Sequence, residues 1–401
     1  MQKITTDFLI IGAGIIGLTL AYNLRKVFPE KEIVILDKED GLGRHASGRN
    51  SGVLHAGFYY TPDSLKAKFT RIGNQELKNY CKEKNLKINE CGKVVVAKNE
   101  EELERLHELY RRGLQNGVEV YLIDEKELKE IEPNAKTYQL ALWSPNTATV
   151  DPLEVLSALE EDLRKMDVKF FYNTPFKKWD GEYVLSDNIK FKANKVINAA
   201  GLYADKIAKC FGFSKKYVIQ PFKGLYLISR NGTPFIKRNI YPVPNLKNPF
   251  LGVHFTVTVD GKIKIGPTAI PCLWREQYNF VSKLNLVEFF QISSWNLKLF
   301  LTNQNFRQVA LEEIRKYRKS YLLDEAEKLV HQFPRNEFNQ WGKPGIRAQL
   351  LDVERGELVH DFVVEGDDFS LHILNAVSPA LTASFPFTRY VVEKYILNKG
   401  G

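Results

Sequence analysis

Three glycines, Gly12, Gly14 and Gly17, carry the most specific chemistry in the chain. Their GxGxxG spacing lies between the apolar runs "TDFLII" and "IIGLTLAYNL". That order predicts a strand, a tight turn and a helix. Gly12 permits the turn, Gly14 lets a pyrophosphate approach the backbone, and Gly17 lets the helix pack closely on the strand. The helix N-terminus then offers free N–H groups and a positive dipole end to phosphates. A second predicted strand, "EIVILD", ends at Asp37, about twenty residues on, where a carboxylate suits ribose hydroxyls. Strand, helix and acid together point to a dinucleotide site. A glycine-rich turn without a ligand is the alternative. A second stretch, "HASGRNSGVLHAG" at residues 45 to 57, fits neither a helical nor a strand period. Its small and polar residues suit a loop that wraps a ligand.

The chain carries one such fingerprint. Enzymes that pass electrons between flavin and nicotinamide often carry two, so FAD reoxidised by a separate acceptor is favoured over NAD as sole cofactor. At 401 residues the chain can bury a large core and form two domains. The net charge of +9 is spread along it. A basic solvated surface is the plain reading; an anionic substrate, an acidic membrane surface or RNA are the functional ones. Cys81, Cys91, Cys210 and Cys272 form no CxxC pair, which predicts reduced thiols in a cytoplasmic setting. No HExxH or Cys/His cluster predicts a metal. The uncharged run Phe8 to Leu24 falls short of the ~20 apolar residues of a membrane span, so it is expected to be a buried strand entering a helix.

Stepping outward, helices are expected at "SLKAKFTRIGNQELKNYCKEKN", at "EEELERLHELYRRGLQNG" ended by Gly117, and at "DPLEVLSALEEDLRKMD" with Asp151 as N-cap. "CGKVVVAKN" and "VEVYLID" read as strands, and so do "NIKFKA" and "KVINAAG", taken as two. A helix follows at "LYADKIAKCFG". Residues 217 to 270 alternate like a large antiparallel sheet with a turn at Asp260 and Gly261. Residues 283 to 332 read as amphipathic helices. Within them Leu286 to Leu301 carries few charges, and a buried helix pair is favoured over contact with a bilayer. "WGKPGIRAQLLD" and "FSLHILNAV" return to strands, and a last helix runs from Pro379 to Leu397.

Taken together, "IIGAGIIGL", "GRNSGVLHAGFYY", "NAAGLYAD", "QPFKGLYL", "FLGVHFT", "GIRAQLLD" and "NAVSPALTAS" resemble the D-amino-acid-oxidase-like family of FAD oxidoreductases. Within it they are most similar to the L-2-hydroxyglutarate dehydrogenase/oxidase branch. The resemblance runs over nearly the whole chain. It implies an α/β fold in which a Rossmann-like FAD-binding domain is interleaved with a substrate domain built on a mostly antiparallel sheet with helices. The expected FAD-binding parts are 1–84, 151–214 and 341–401, and the expected substrate parts are 85–150 and 215–340. For the cofactor it implies Gly12, Gly14, Ile15, Ile16, Gly17, Asp37 and Lys38. The loop adds Ser47, Asn50, Ser51, Gly52, Val53 and His55. Further along it implies Phe176, Ala199, Ala200, Gly201, Arg347, Pro379, Ala380, Leu381 and Thr382.

The implied reaction is hydride transfer from the α-carbon of an L-2-hydroxy acid to flavin N5, with L-2-hydroxyglutarate giving 2-oxoglutarate. Arg347 suits a bidentate carboxylate contact. His55 and His254 are both candidates for the base, and Lys223 and Tyr241 are expected to line the cavity. The chain departs from the family at Leu225, where an acid is usual, at Val257 and Thr258, where Pro-Arg is usual, and at Leu374, where arginine is usual. These changes bear on the substrate and leave the flavin site intact. Another hydroxy acid, an amino acid or glycerol 3-phosphate are alternative substrates. An RNA-directed flavoprotein and a flavin scaffold without turnover are disfavoured, because no nucleic-acid module is present and the polar cavity set is retained. Expected partners are a small anionic substrate and a quinone or oxygen as acceptor, with peripheral contact at the inner membrane and no nucleic acid.

Overall fold

The computed structural model describes residues 1–230, 235–246 and 250–397. The chain divides into two compact units. The first comprises Met1–Asn50, Pro152–Pro221 and the segment from Arg347; the second comprises Ser51–Asp151 and Phe222–Ile346.

The first unit is built on a mixed sheet whose central strands run parallel. Strand Gln2–Ile11 runs between Ile33–Leu36 and Ile189–Asn198, with Lys169–Phe171 beyond the former and Ser370–Asn375 beside the end of the latter. All four residues of Ile33–Leu36 are buried, as expected for a parallel strand covered on both faces. The segment expected as two strands is one, Ile189–Asn198. It stays in register from Thr6↔Ala193 to Phe8↔Lys195, and the Asn194 amide donates to Asp7 at 3.0 Å rather than starting a turn. Helix Ile15–Val27 follows the glycine turn, and its Asn23 amide donates to Phe385 O (3.1 Å) and Thr388 Oγ1 (2.8 Å) in helix Ala380–Val392. The two helices are thereby tied together.

The second unit holds an eight-stranded sheet. In spatial order it runs Gln340–Trp341, Leu227–Ile228, Ile263–Gly266, His254–Val257, Asn239–Pro242, Lys93–Val96, Leu140–Ser144 and Tyr121–Asp124. Its pairs are antiparallel except one: Asn239–Pro242 lies parallel to Lys93–Val96. The Asp260–Gly261 turn joins His254–Val257 to Ile263–Gly266, with Gly261 at φ +75°. Strand alternation separates two cores. Val94, Val96, Phe255 and Ile265 pack on one face, and Val95 and Tyr241 meet Phe58 and Tyr59 on the other.

Two expectations are corrected. The chain leaves the first unit after Asn50, not after residue 84. Helix Leu65–Glu83 belongs to the second unit because its buried Asn74 amide donates to the carbonyls of Leu54 (3.1 Å), His55 (3.2 Å) and Asn146 (3.1 Å). Helix Leu286–Thr302 is not a buried partner of its neighbour. Only Glu288, Ile292 and Leu299 are buried, and Leu286, Val287, Phe290, Leu297 and Leu301 are exposed. No described helix is long and apolar enough to cross a membrane.

Candidate active site

In the first unit the glycine turn forms a cradle that side chains would fill. Gly12 has φ +111°, and a Cβ there would lie 2.6 Å from the Ala199 carbonyl oxygen. A Cβ on Gly17 would lie 1.9 Å from the Gly12 carbonyl oxygen, so the helix can sit this close to the turn only with glycine. The helix N-cap, Gly14, has no side-chain cap, and the first turn has no acid. Ser47 Oγ accepts from the Ile15 N–H at 3.0 Å, which brings the loop of residues 45–57 onto this helix end. Ile15 and Ile16 are buried beneath it. Asp37 accepts from the Ala13 N–H (2.8 Å) and the Glu39 N–H (2.9 Å). A carboxylate has about four acceptor positions, so these bonds position Asp37 and leave capacity for a ribose.

Other members of the set hold the frame. The Asn50 amide donates to the carbonyls of Ala46 (3.1 Å) and Ser47 (2.8 Å). Lys38 lies 5.3 Å from the Tyr203 ring centre, and Phe176 packs on Phe211 at 6.1 Å. Ala199 is bonded to Ile11, and Ala200 to the Asn198 side chain, which seats Ala199, Ala200 and Gly201 at the end of their strand. Helix Ala380–Val392 starts after Pro379 without a side-chain cap, over Leu381 and the fully buried Thr382. Arg347 is half-buried in strand Gly345–Asp352. The helix end with no acid in its first turn, the glycine cradle and Asp37 fit the pyrophosphate and ribose of a dinucleotide. Ser51, Gly52, Val53 and His55 fall in the second unit. There Gly52 accepts from the Val150 N–H at 2.9 Å, and Val53 pairs with Thr149.

The second unit brings together two of the expected substrate residues. The rings of Tyr241 and His254 stack with centres 3.6 Å apart and planes at 16°. Both are buried, on neighbouring strands. His254 Nδ1 lies 2.9 Å from the Gly252 carbonyl. A carbonyl only accepts, so Nδ1 carries the proton and Nε2 of the neutral ring presents its lone pair. Burial pulls the His254 pKa down to about 3, against the Gly252 hydrogen bond and with help from Lys93. His254 is therefore a neutral imidazole through the ordinary pH range. Lys223 lies on another strand, Tyr217–Gly224, where burial lowers its pKa. Its carbonyl accepts from Thr268 Oγ1 at 2.9 Å. The departures are accommodated without cations. Leu374 and Val257 are core residues, and Thr258 Oγ1 donates to Lys262 O within the hairpin.

One residue went unread in the sequence. Lys93 is fully buried beside Tyr241, at 4.1 Å from its ring centre. The available signal was a lysine at an inward position of the alternating strand "GKVVVA".

Known proteins place these features in context. Residues 7–388 match the family model described as FAD dependent oxidoreductase. The chain is 33% identical over 400 residues to an L-2-hydroxyglutarate dehydrogenase of Escherichia coli, covering 97% of this chain and 92% of that one. It is 35% identical over 412 residues to the mitochondrial L-2-hydroxyglutarate dehydrogenase of Homo sapiens, covering 97% and 88%. Among solved structures, the dithionite-reduced L-alpha-glycerophosphate oxidase of Mycoplasma pneumoniae with FAD bound superposes with a TM-score of 0.74 at 23% identity, covering 97% and 94%. Glycine oxidase from Geobacillus kaustophilus gives 0.72 at 19%, covering 99% and 96%. These two likenesses concern the fold.

Proposed function

The chain belongs to the FAD-dependent oxidoreductase family, and on that premise we propose that it oxidises an L-2-hydroxy acid, L-2-hydroxyglutarate foremost, to the 2-oxo acid. Bound FAD supplies the two-electron acceptor. Gly12, Gly14, Gly17, Ser47 and Asp37 hold it through the cradle described above. With FAD bound, the α-hydrogen would leave with its electron pair as hydride to the cofactor, the hydroxyl proton would pass to a base, and the C=O bond would form. His254 is that base. The single observation that carries the reading is its Nδ1 contact with the Gly252 carbonyl, which leaves Nε2 as the acceptor. Arg347 grips the substrate carboxylate with its planar fork, and Lys223 adds a second cation.

Leu374 and Thr258, in place of the family's arginines, favour a second reading in which the substrate is a hydroxy acid with one carboxylate. The test is anaerobic mixing of the FAD-loaded protein with a panel of 2-hydroxy acids, amino acids and glycerol 3-phosphate while the flavin absorbance is followed. Bleaching by L-2-hydroxyglutarate at the lowest concentration supports the proposal. Bleaching only by an amino acid or glycerol 3-phosphate overturns it.

We further propose that electrons pass to a quinone at an anionic membrane surface. Leu286, Phe290, Leu297 and Leu301 form an exposed stripe along helix Leu286–Thr302, next to Phe280 and Val281, which are 85% and 78% exposed. Exposed charges on this segment and the helix after it are mostly basic. Lys283, Lys298, Arg315 and Arg318 are exposed, whereas Glu276, Glu288 and Glu313 are buried and Glu312 is exposed. An apolar stripe with a basic border fits acidic lipid headgroups. Flotation with phosphatidylglycerol vesicles, lost in Phe290→Asp, is the expected result. Equal binding to phosphatidylcholine vesicles, or dimerisation without vesicle binding, overturns it.

A further inference from the structure

Lys93 is a fully buried lysine whose ammonium makes no hydrogen bond among the described residues. The rings of Tyr241, Tyr59 and Phe58 stand 4.1, 5.0 and 5.6 Å from it. Ring faces attract a cation but offer no acceptor for its three N–H groups. A second donor is stranded in the same cluster: the buried Tyr59 hydroxyl has no hydrogen-bond partner among the described residues. A carboxylate would answer both, because it brings the opposite charge and about four acceptor positions. The sheet carries this pair to the proposed base. Strand alternation sets Lys93 on the same face as Tyr241, because Asn239 pairs with Lys93 and Tyr241 with Val95. The register that pairs Ile240 with Phe255 sets Tyr241 opposite His254. The imidazole centre is 3.6 Å and the ammonium 4.1 Å from the Tyr241 ring centre, so base and cation are at most about 8 Å apart. Phe58 and Tyr59, which cover the ammonium, lie in a turn, so admitting a ligand there breaks no strand pairing.

We propose that Lys93, with the Tyr59 hydroxyl, is the subsite for the far carboxylate of a dicarboxylic 2-hydroxy acid. This rests on the reading that the chain oxidises such an acid with His254 as base. The lengths agree. In a five-carbon 2-hydroxy acid the hydroxyl oxygen and the far carboxylate are about 5 Å apart by bond lengths, and a hydrogen bond at each end adds about 2.8 Å. The extended molecule can therefore place its hydroxyl on His254 and its far end on Lys93. The charges agree as well. Arg347 and Lys223 are assigned to the carboxylate beside the reacting carbon. Leu374 and Thr258 replace two arginines usual in the family, and Lys93 supplies a cation for the far end from another strand. A substrate with one carboxylate leaves both buried donors unanswered, which costs binding. The subsite thus favours the dicarboxylate over the second reading of the substrate.

The experiment uses two pairs of ligands that differ only in the far carboxylate. Flavin reduction by L-2-hydroxyglutarate and by L-2-hydroxypentanoate is followed in FAD-loaded wild type, Lys93→Met and Tyr59→Phe. In Lys93→Met the half-saturating concentration of L-2-hydroxyglutarate is expected to rise about 30-fold or more, with the limiting rate little changed and L-2-hydroxypentanoate unaffected. Tyr59→Phe keeps the ring and loses the hydroxyl, and should give the same split at about threefold to tenfold. Equal losses for both substrates in Lys93→Met show a structural role and overturn the proposal. A second measurement needs neither a variant nor turnover. Glutarate and pentanoate are titrated into the wild type while the flavin absorbance reports binding. Glutarate is expected to bind about 30-fold or more tightly, and equal affinities overturn the proposal. The underlying reading fails separately. If no 2-hydroxy acid bleaches the flavin, yet glutarate outbinds pentanoate and Lys93→Met abolishes that preference, the reaction is misassigned and the carboxylate subsite stands.

Discussion

A neutral imidazole buried in a folded core makes the protein sensitive to acid, and His254 allows that sensitivity to be measured. The side chain is 4% exposed. Burial takes its pKa from 6.5 to about 3, the Gly252 carbonyl opposes the shift, and Lys93 adds to it. The unfolded chain titrates at the ordinary value. Because the folded pKa is depressed, both states are neutral at pH 8 and His254 contributes no pH dependence there. Below 6.5 the unfolded state binds a proton that the folded state refuses, so stability falls as pH falls toward about 3. At pH 5, about 1.5 units below the unfolded value, the loss is about 2 kcal/mol. His254→Asn removes the titrating group. Urea unfolding of the FAD-loaded wild type and variant at pH 8 and pH 5 gives the comparison. The wild type is expected to lose about 2 kcal/mol more than the variant over this interval, roughly a thirtyfold shift in the folding equilibrium. His372, also drawn down to about 4 by burial, is present in both and cancels. Parallel losses in the two proteins would refute the reasoning, because they would mean that His254 is solvated or already charged in the fold.

Three further outcomes are expected. Gly17→Ala places a methyl 1.9 Å from the Gly12 carbonyl and should yield a protein that loses its yellow colour on gel filtration, destabilised by about 1–3 kcal/mol; full retention of FAD would contradict the cradle. Arg347→Lys keeps the charge and loses the fork, so flavin reduction should weaken at low substrate with FAD still bound, and normal reduction there would place the carboxylate anchor elsewhere. His254→Asn should slow flavin reduction by about two to four orders of magnitude and His55→Asn should not; the reverse pattern transfers the base role to His55.

Much of the cofactor frame was legible because its determinants are local. Gly12, Gly14 and Gly17 are three of six consecutive residues, and Asp37 follows one helix and one strand later. The resulting turn, helix Ile15–Val27 and strand Ile33–Leu36 stand where the pattern predicts them. The same holds for the Asp260–Gly261 hairpin and for helix Glu100–Gln115, which ends just before Gly117, a nearest-neighbour signal.

The proposed base and its surroundings were settled differently. The sequence offered His55 and His254 on equal terms, because a histidine's role depends on what its ring nitrogens meet. Only the fold turns Nδ1 of His254 toward Gly252 and stacks the ring on Tyr241. Lys93 reads as an ordinary charge in a strand until the parallel pairing with Asn239–Pro242, far along the chain, encloses it among aromatic rings. Helix Leu286–Thr302 illustrates the converse. Its apolar content reads as burial, yet the tertiary structure leaves Phe290 at 69% and Leu301 at 66% exposed. Periodicity records which residues share a face, and glycine spacing records how close two backbones can come. Whether a face is covered, and whether a charge loses its water, depends on strands and helices brought together from distant parts of the chain, and those contacts set the proton positions on which the proposed chemistry rests.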